Sequence, residues 1–366
     1  MEKRLALSSR VDKNQRLPSL DGLRAISVTI ILAFHLRFLP TLGRPRWVRF
    51  DIGTLGMSIF FVISGFIITK LLLDERERDG MICLPSFYSR RFFRIFPALF
   101  AYILGLALLT LLGLASCSPR QLWMGLTFLG NYRYSGCFST AHLWSLSVEE
   151  QFYLLWPFVL SRLSSKSASR LLLTVICIVP LIRVAHLVHG ADWMTLEWHS
   201  ESVADGLAVG CLLAIVRTRL HTNRAYQRFA NSRACWFLPI GLLAAGWQYS
   251  SLFYQGLGKT LMLVGIAIGI DISIQRYNTV WGRCLNSAAF VRVGLWSYSI
   301  YLWQQVFIVQ LPGTQPYAWF PLNLILSIGV AIASYYLVER PALLWGRHLI
   351  VRRQTSAAMA IPKAAA

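Results

Sequence analysis

At 366 residues, 55% hydrophobic and only 14% charged, with a mean hydropathy of +0.52, the chain has too little polar surface for a soluble domain of its size. Its formal net charge of +20 would suit nucleic acid, but apolar runs such as Leu99–Leu114 and Leu322–Ala333 recur from end to end, and most are long enough, at about 20 residues each, to cross hydrocarbon as helices. The runs are unbroken, not alternating, which excludes a transmembrane barrel. The expected fold class is all-α: a polytopic transmembrane helical bundle of about ten helices.

In chain order, residues 1–17 read as a polar cytoplasmic tail without the apolar segment and cleavage site of a signal peptide. Residues 18–345 form the transmembrane domain, with spans expected near 20–39, 52–73, 93–115, 143–161, 170–189, 203–216, 235–252, 258–275, 288–310 and 318–339. The stretch 119–132 is apolar but short and reads as a surface or re-entrant piece. Residues 346–366, ending Ala-rich, read as a weakly structured cytoplasmic C-terminal tail. Ten crossings put both termini on one side. Of the 36 Lys and Arg, 27 then fall on that side and seven on the other, with Arg24 and Arg183 inside spans. The positive-inside rule makes the first side cytoplasmic. The basicity is therefore mostly topology plus attraction to anionic membrane lipids, and no nucleic acid is implied. The chain carries no internal repeat of the transporter kind. Its seven cysteines follow no metal-ligand spacing, and no metal is implied. Cys117 and Cys137 alone fall in an external loop, where a disulfide can persist.

Ionisable groups are expensive in a bilayer, so each one inside a span is a functional candidate. Arg24 and His35 in LDGLRAISVTIILAFHL are eleven residues apart, within about 20° of one helical face and roughly 16 Å apart along the axis. That stripe suits a substrate lying along the helix, its anionic end at Arg24 and its reacting end at His35. Equally, Arg24 could snorkel to headgroups and His35 be satisfied by a neighbouring helix. Arg90, Arg91 and Arg94 interleave with aromatics in FYSRRFFRIFP, which suits a nucleotide's phosphates and base, or a basic anchor with an aromatic belt. His142, Ser145 and Glu149 share a stripe in HLWSLSVEEQFYLLWP, beside Trp144 and Glu150. The carboxylates could orient an imidazolium or grip sugar hydroxyls, or merely start a helix at the interface. Gly53, Gly56 and Gly65 suit close helix approach. Arg183, His186, Glu201, Asp205 and Glu339 read as structural.

Six ordered motifs, LDGLRA…FH, IFFVISGF, FYSRRFFRIFP, HLWSLSVEEQFYLLWP, SYSIYLWQQ and ERP, together resemble the acyltransferase-3 family of membrane acyltransferases. That family includes O-antigen, exopolysaccharide and nodulation-factor acetylases and macrolide acylases. The resemblance runs from Pro18 to Pro341 and implies a multi-pass protein of the bacterial inner (cytoplasmic) membrane. It also implies a cytoplasmic acyl-CoA donor, acetyl-CoA or another acyl-CoA as co-substrate, and a glycan acceptor that could be lipid-linked. Carried over residue by residue, it assigns essential roles to Arg24 and His35, and maps Arg90, Arg91, Glu149 and Glu150 onto family motifs. Many members have a His where this chain has Gln304, so no catalytic role is carried there. Larger members append a periplasmic SGNH domain, and none is expected here.

The expected enzyme is an O-acyltransferase. Arg24, Arg90, Arg91 and Arg94 hold the CoA phosphates. His35 is the general base on a sugar hydroxyl, or a transient acyl carrier. Glu149 or Glu150 orients it or compensates its charge, and His142, Trp144 and Ser145 contact the acceptor. The alternatives are acylation of a small secreted metabolite such as a macrolide, and a non-catalytic transporter of glycan or acyl donor.

Overall fold

The computed structural model of the chain describes residues 17–36, 52–132, 137–238, 241, 252–308 and 320–359, and among these there is no strand. Helices α1 (Leu20–Leu36), α2 (Ile52–Asp79) and α3 (Leu84–Leu111) come first. The short α4 (Pro119–Leu126) and α5 (Phe138–Ala141) lead into α6 (Leu143–Arg162) and α7 (Ser165–Val188). Next come α8 (Trp193–Trp198), α9 (Ser200–Thr222) and α10 (Arg224–Asn231). A π turn at Tyr254–Gly258 opens α11 (Lys259–Gln275), followed by α12 (Val280–Leu285) and α13 (Ala288–Phe307). A second π turn, Tyr335–Glu339, joins α14 (Leu322–Ser334) to α15 (Arg340–Met359).

Five stretches among the described residues are long and apolar enough to cross a membrane: Gly53–Asp79, Leu84–Leu111, Ser165–Val188, Tyr254–Gln275 and Leu322–Ile350. Their outward faces, with that of α6, expose a belt that no soluble protein would keep, including Phe100, Leu104 and Leu108 of α3, Leu154 and Leu155 of α6 and Leu181 of α7. Polar residues turn the other way. Ser27 of α1, Asp205 of α9 and Ser297, Ser299, Gln304 and Gln305 of α13 are all buried, because hydrocarbon offers no partner for them.

Glycines set how closely these inner helices approach. A Cβ at Gly65 would overlap the Leu207 carbonyl of α9, and one at Gly210 the Val62 carbonyl of α2, so the two helices meet backbone to backbone. Gly56 faces α1, where Ser27 Oγ donates to the Gly56 carbonyl at 2.6 Å, and Gly53 meets the Phe34 ring. On its other side α1 is fixed by α13, since a Cβ at Gly294 would strike the backbone of Asp21. The start of α1 is indexed as well. Asn286 accepts from the Ser19 N–H at 2.8 Å and donates to Ser19 Oγ at 3.0 Å, holding Ser19 at a φ of 69°.

The third helix begins at Leu84, ahead of the span expected at 93, because the arginines that break the apolar run do not break the helix. Residues 346–359, expected as part of a weakly structured tail, are helical. Pro341 lacks an N–H and its ring would crowd the carbonyl four residues back, and the wider π turn just before it lets the helix continue. The piece at 119–132 is a short helix with a Ser118–Gln121 capping box, and a Cys117–Cys137 disulfide joins the leads into α4 and α5 with Cα atoms 5.4 Å apart. The span expected at 235–252 lies largely outside the described residues.

Gly65→Val or Gly210→Val should prise α2 from α9 and abolish monodisperse protein on size exclusion in detergent. Gly329→Ala, where a Cβ meets nothing within 4 Å, should leave the thermal midpoint within the small range of an exposed substitution.

Candidate active site

Two cavities meet inside the bundle. The larger, about 640 Å³, is lined by Arg24 of α1, Ser64 and Glu75 of α2, Arg90, Arg91 and Arg94 of α3, and Ser145, Glu149 and Tyr153 of α6. The smaller, about 350 Å³, is lined by His35 of α1, His142 and Trp144 at the start of α6, and Gln305 of α13. Met57 and Tyr301 line both, so they form the partition. Helix geometry accounts for the division: a rise of about 1.5 Å per residue carries α1 from Arg24 in one cavity to His35 in the other. Helix α6 passes the same partition, with His142 on the smaller side and Ser145 and Glu149 on the larger.

The larger cavity is built for an anion. Its lining includes seven Lys or Arg (Arg24, Lys70, Arg78, Arg90, Arg91, Arg94, Arg347) against three acids (Asp74, Glu75, Glu149). Two of the predicted arginines have committed partners. Arg90 Nη2 lies 3.1 Å from Glu75, and Arg94 Nη1 lies 3.2 Å from the fully buried Glu339, which also accepts from Ser299 Oγ at 2.8 Å. Arg91 places its guanidinium 4.9 Å from the Tyr153 ring centre and 5.7 Å from that of Phe87. Glu149 accepts from Ser64 Oγ at 2.5 Å and faces the charges of Arg24 and Arg91. Glu150 points elsewhere, as successive residues on a helix must. It lines neither cavity, and its buried Oε1 has no hydrogen-bond partner.

The smaller cavity holds both histidines on two glutamines. Gln305 Oε1 lies 3.3 Å from the backbone N–H of His142 and 2.9 Å from His142 Nδ1. A backbone N–H can only donate, so this atom is the amide oxygen and Gln305 Nε2 is the donor facing His35 Nε2 at 3.1 Å. His35 Nε2 is therefore the acceptor, and Nδ1 carries the proton it donates to Gln304 Oε1 at 3.0 Å. Sequence reasoning looked for a carboxylate to orient this ring; the residues found there are amides. Tyr301, Gln304 and Gln305 stand at i, i+3 and i+4 of α13, one face of SYSIYLWQQ, and that periodicity was the available signal. Tyr301 donates to the His142 carbonyl at 2.5 Å and meets Ser145 Oγ at 2.5 Å, which fixes the phenol in the partition.

A family profile described as an acyltransferase domain matches residues 17–339. The chain belongs to the acyltransferase-3 family. It is similar to the O-acetyltransferase OatA of Staphylococcus aureus (strain NCTC 8325 / PS 47), 28% identical over 361 residues that cover 89% of this chain and 57% of that protein. The peptidoglycan O-acetyltransferase OatA of Listeria monocytogenes serovar 1/2a is 28% identical over 360 residues, covering 89% and 55%. The putative peptidoglycan O-acetyltransferase YrhL of Bacillus subtilis (strain 168) is 28% identical over 376 residues, covering 94% and 57%. The chain thus spans a little over half the length of these curated relatives. No solved structure matches it. In this acyltransferase-3 chain the matched stretch contains every residue named in the two cavities except Arg347.

Nitrogen-15 NMR of the imidazoles, with His35→Gln to assign the signal, should show His35 as the Nδ1–H tautomer. Gln304→Leu removes the acceptor for that proton and should move population towards Nε2–H, while an unchanged spectrum would mean that Gln304 does not set the tautomer.

Proposed function

We propose that the chain is a multi-pass membrane O-acyltransferase that moves an acetyl group from cytoplasmic acyl-CoA to a hydroxyl of a cell-envelope glycan of the peptidoglycan type. The observation that carries this reading is the meeting of an arginine-lined cavity with a histidine-bearing one across Met57 and Tyr301. The names of the relatives, all O-acetyltransferases and two of them acting on or assigned to peptidoglycan, favour a glycan over a small secreted metabolite and chemistry over transport. In this reading the bundle crosses the bacterial cytoplasmic membrane about ten times with both termini inside. The larger cavity then opens towards the cytoplasm, where its basic residues also satisfy the positive-inside rule.

Acyl-CoA enters the larger cavity with its phosphates on Arg24, Arg90, Arg91 and Arg94. A guanidinium has five donors, so the pairing of Arg90 and Arg94 with one acid each leaves edges for phosphate. Glu149 offsets Arg24 and Arg91 and keeps them facing inward. The pantetheine arm carries the thioester past Tyr301 towards His35. A glycan hydroxyl, itself a weak nucleophile, displaces Gln305 from His35 Nε2 and gives up its proton there as its oxygen attacks the thioester carbonyl. Collapse breaks the C–S bond, and the departing thiolate takes the proton from the imidazolium. His142 and Trp144 contact the acceptor, while Ser145 acts through Tyr301.

His35→Gln keeps size and hydrogen bonding but loses proton acceptance near neutral pH. It should fold and bind acyl-CoA while transferring at least ~100-fold more slowly. Arg24→Lys keeps charge but loses the planar fork and should weaken acyl-CoA binding instead. Both are read by acetyl transfer beside acyl-CoA binding in detergent; wild-type transfer by His35→Gln would overturn the mechanism.

A further inference from the structure

The smaller cavity is lined by more than the histidines and their glutamines. Trp144 and Trp198 lie with parallel rings, 4° apart and 6.0 Å between centres, and Trp193 stands edge-on to Trp198 at 84° and 5.3 Å. The three indoles form an aromatic corner. Lys259 Nζ donates to Glu197 at 2.7 Å, and both residues line the same cavity although each is almost fully buried. A buried ion pair adds little stability, because desolvation offsets most of its attraction. Asp205, fully buried, spends one carboxylate oxygen on Arg183 at 2.8 Å and Thr260 at 2.9 Å. Its other oxygen, Oδ1, has no partner, and the residue lines the same cavity.

These features specify a ligand. An unpartnered buried carboxylate oxygen calls for a hydrogen-bond donor. Flat aromatic faces call for a ligand with an apolar, C–H-bearing side. The charges cancel, Lys259 against Glu197 and Arg183 against Asp205, so the cavity has no net charge to attract an anion. We propose that this cavity binds an uncharged pyranose ring of the acceptor, its C–H face on the indole corner of Trp144, Trp193 and Trp198 and its hydroxyls on Asp205 Oδ1 and the Glu197–Lys259 pair. The assignment rests on the reading that a glycan is the acceptor, and it makes His35 the base at one end of a sugar site whose other end is read by α8 and α11.

The test uses the full chain in detergent, with methyl glucoside and methyl glucuronide as probes, which differ in one carboxylate, read by saturation-transfer NMR. The glucoside should bind at least tenfold more tightly than the glucuronide. Trp193 is 56% exposed, so Trp193→Ala should fold; it should weaken glucoside binding about five- to tenfold, with Trp193→Phe within about threefold of wild type and acyl-CoA binding unchanged. Equal or tighter glucuronide binding, or glucoside binding indifferent to Trp193→Ala, would overturn the site. Glucoside binding as described without any His35-dependent transfer would sink the transfer reading and leave the site standing. Transfer to a glycan with an acceptor KM unmoved by Trp193→Ala would do the reverse.

Discussion

A helix cannot bring residues eleven positions apart into one place. Arg24 and His35 share a face of α1, yet the helix rise sets them roughly 16 Å apart, and the protein has built a separate cavity around each. The rest of the site follows from that separation. In the proposed reaction the donor's anionic part and the reacting carbonyl are spanned by one extended molecule. CoA, with phosphates at one end of a flexible arm and a thioester at the other, has that shape. The partition between the cavities is then as consequential as either chamber, and it is made by Met57 and by Tyr301, whose phenol is held by Ser145 and the His142 carbonyl.

Low-dielectric surroundings govern how these residues are held. In hydrocarbon an unpaired polar group costs several kcal/mol, so Ser27 of α1 and Ser299, Gln304 and Gln305 of α13 turn inward to protein partners. Close helix approach makes this possible: where glycines let α1 meet α2 and α13, Ser27 reaches the Gly56 carbonyl and His35 reaches Gln304 and Gln305. The same logic gives weight to exceptions. Asp205 Oδ1 and His142 Nε2 are buried without partners, and both residues line the smaller cavity. An unpaired group that lines a cavity is an opening for recognition, which Glu150 Oε1, lining neither cavity, is not.

Much of this was legible in the sequence because it depends on local periodicity. The Arg24–His35 stripe, the small residues of α2, and the pairing of Cys117 with Cys137 each follow from placement along one segment. What spacing could not supply was the partner across helices. Gln304 was given no catalytic role because many family members carry a His there, although a neutral amide suffices to fix an imidazole tautomer. Lys259, one of the seven basic residues assigned to the non-cytoplasmic side, lies buried against Glu197, 62 residues away. Glu149 was expected near the imidazole. It instead lies on the arginine side of the partition, because α6 passes that wall between His142 and Ser145.

In the proposed reaction, donor and acceptor approach from opposite ends of one bundle, divided at Met57 and Tyr301. The most direct measurement places the full chain in one orientation in proteoliposomes, with acetyl-CoA and a soluble glycan acceptor each confined to a chosen side. Acetylated glycan should form only when acetyl-CoA is on the face where the arginine-lined cavity opens and the glycan is on the face of His35. Transfer with both substrates on the arginine face, and none across the membrane, would contradict the account.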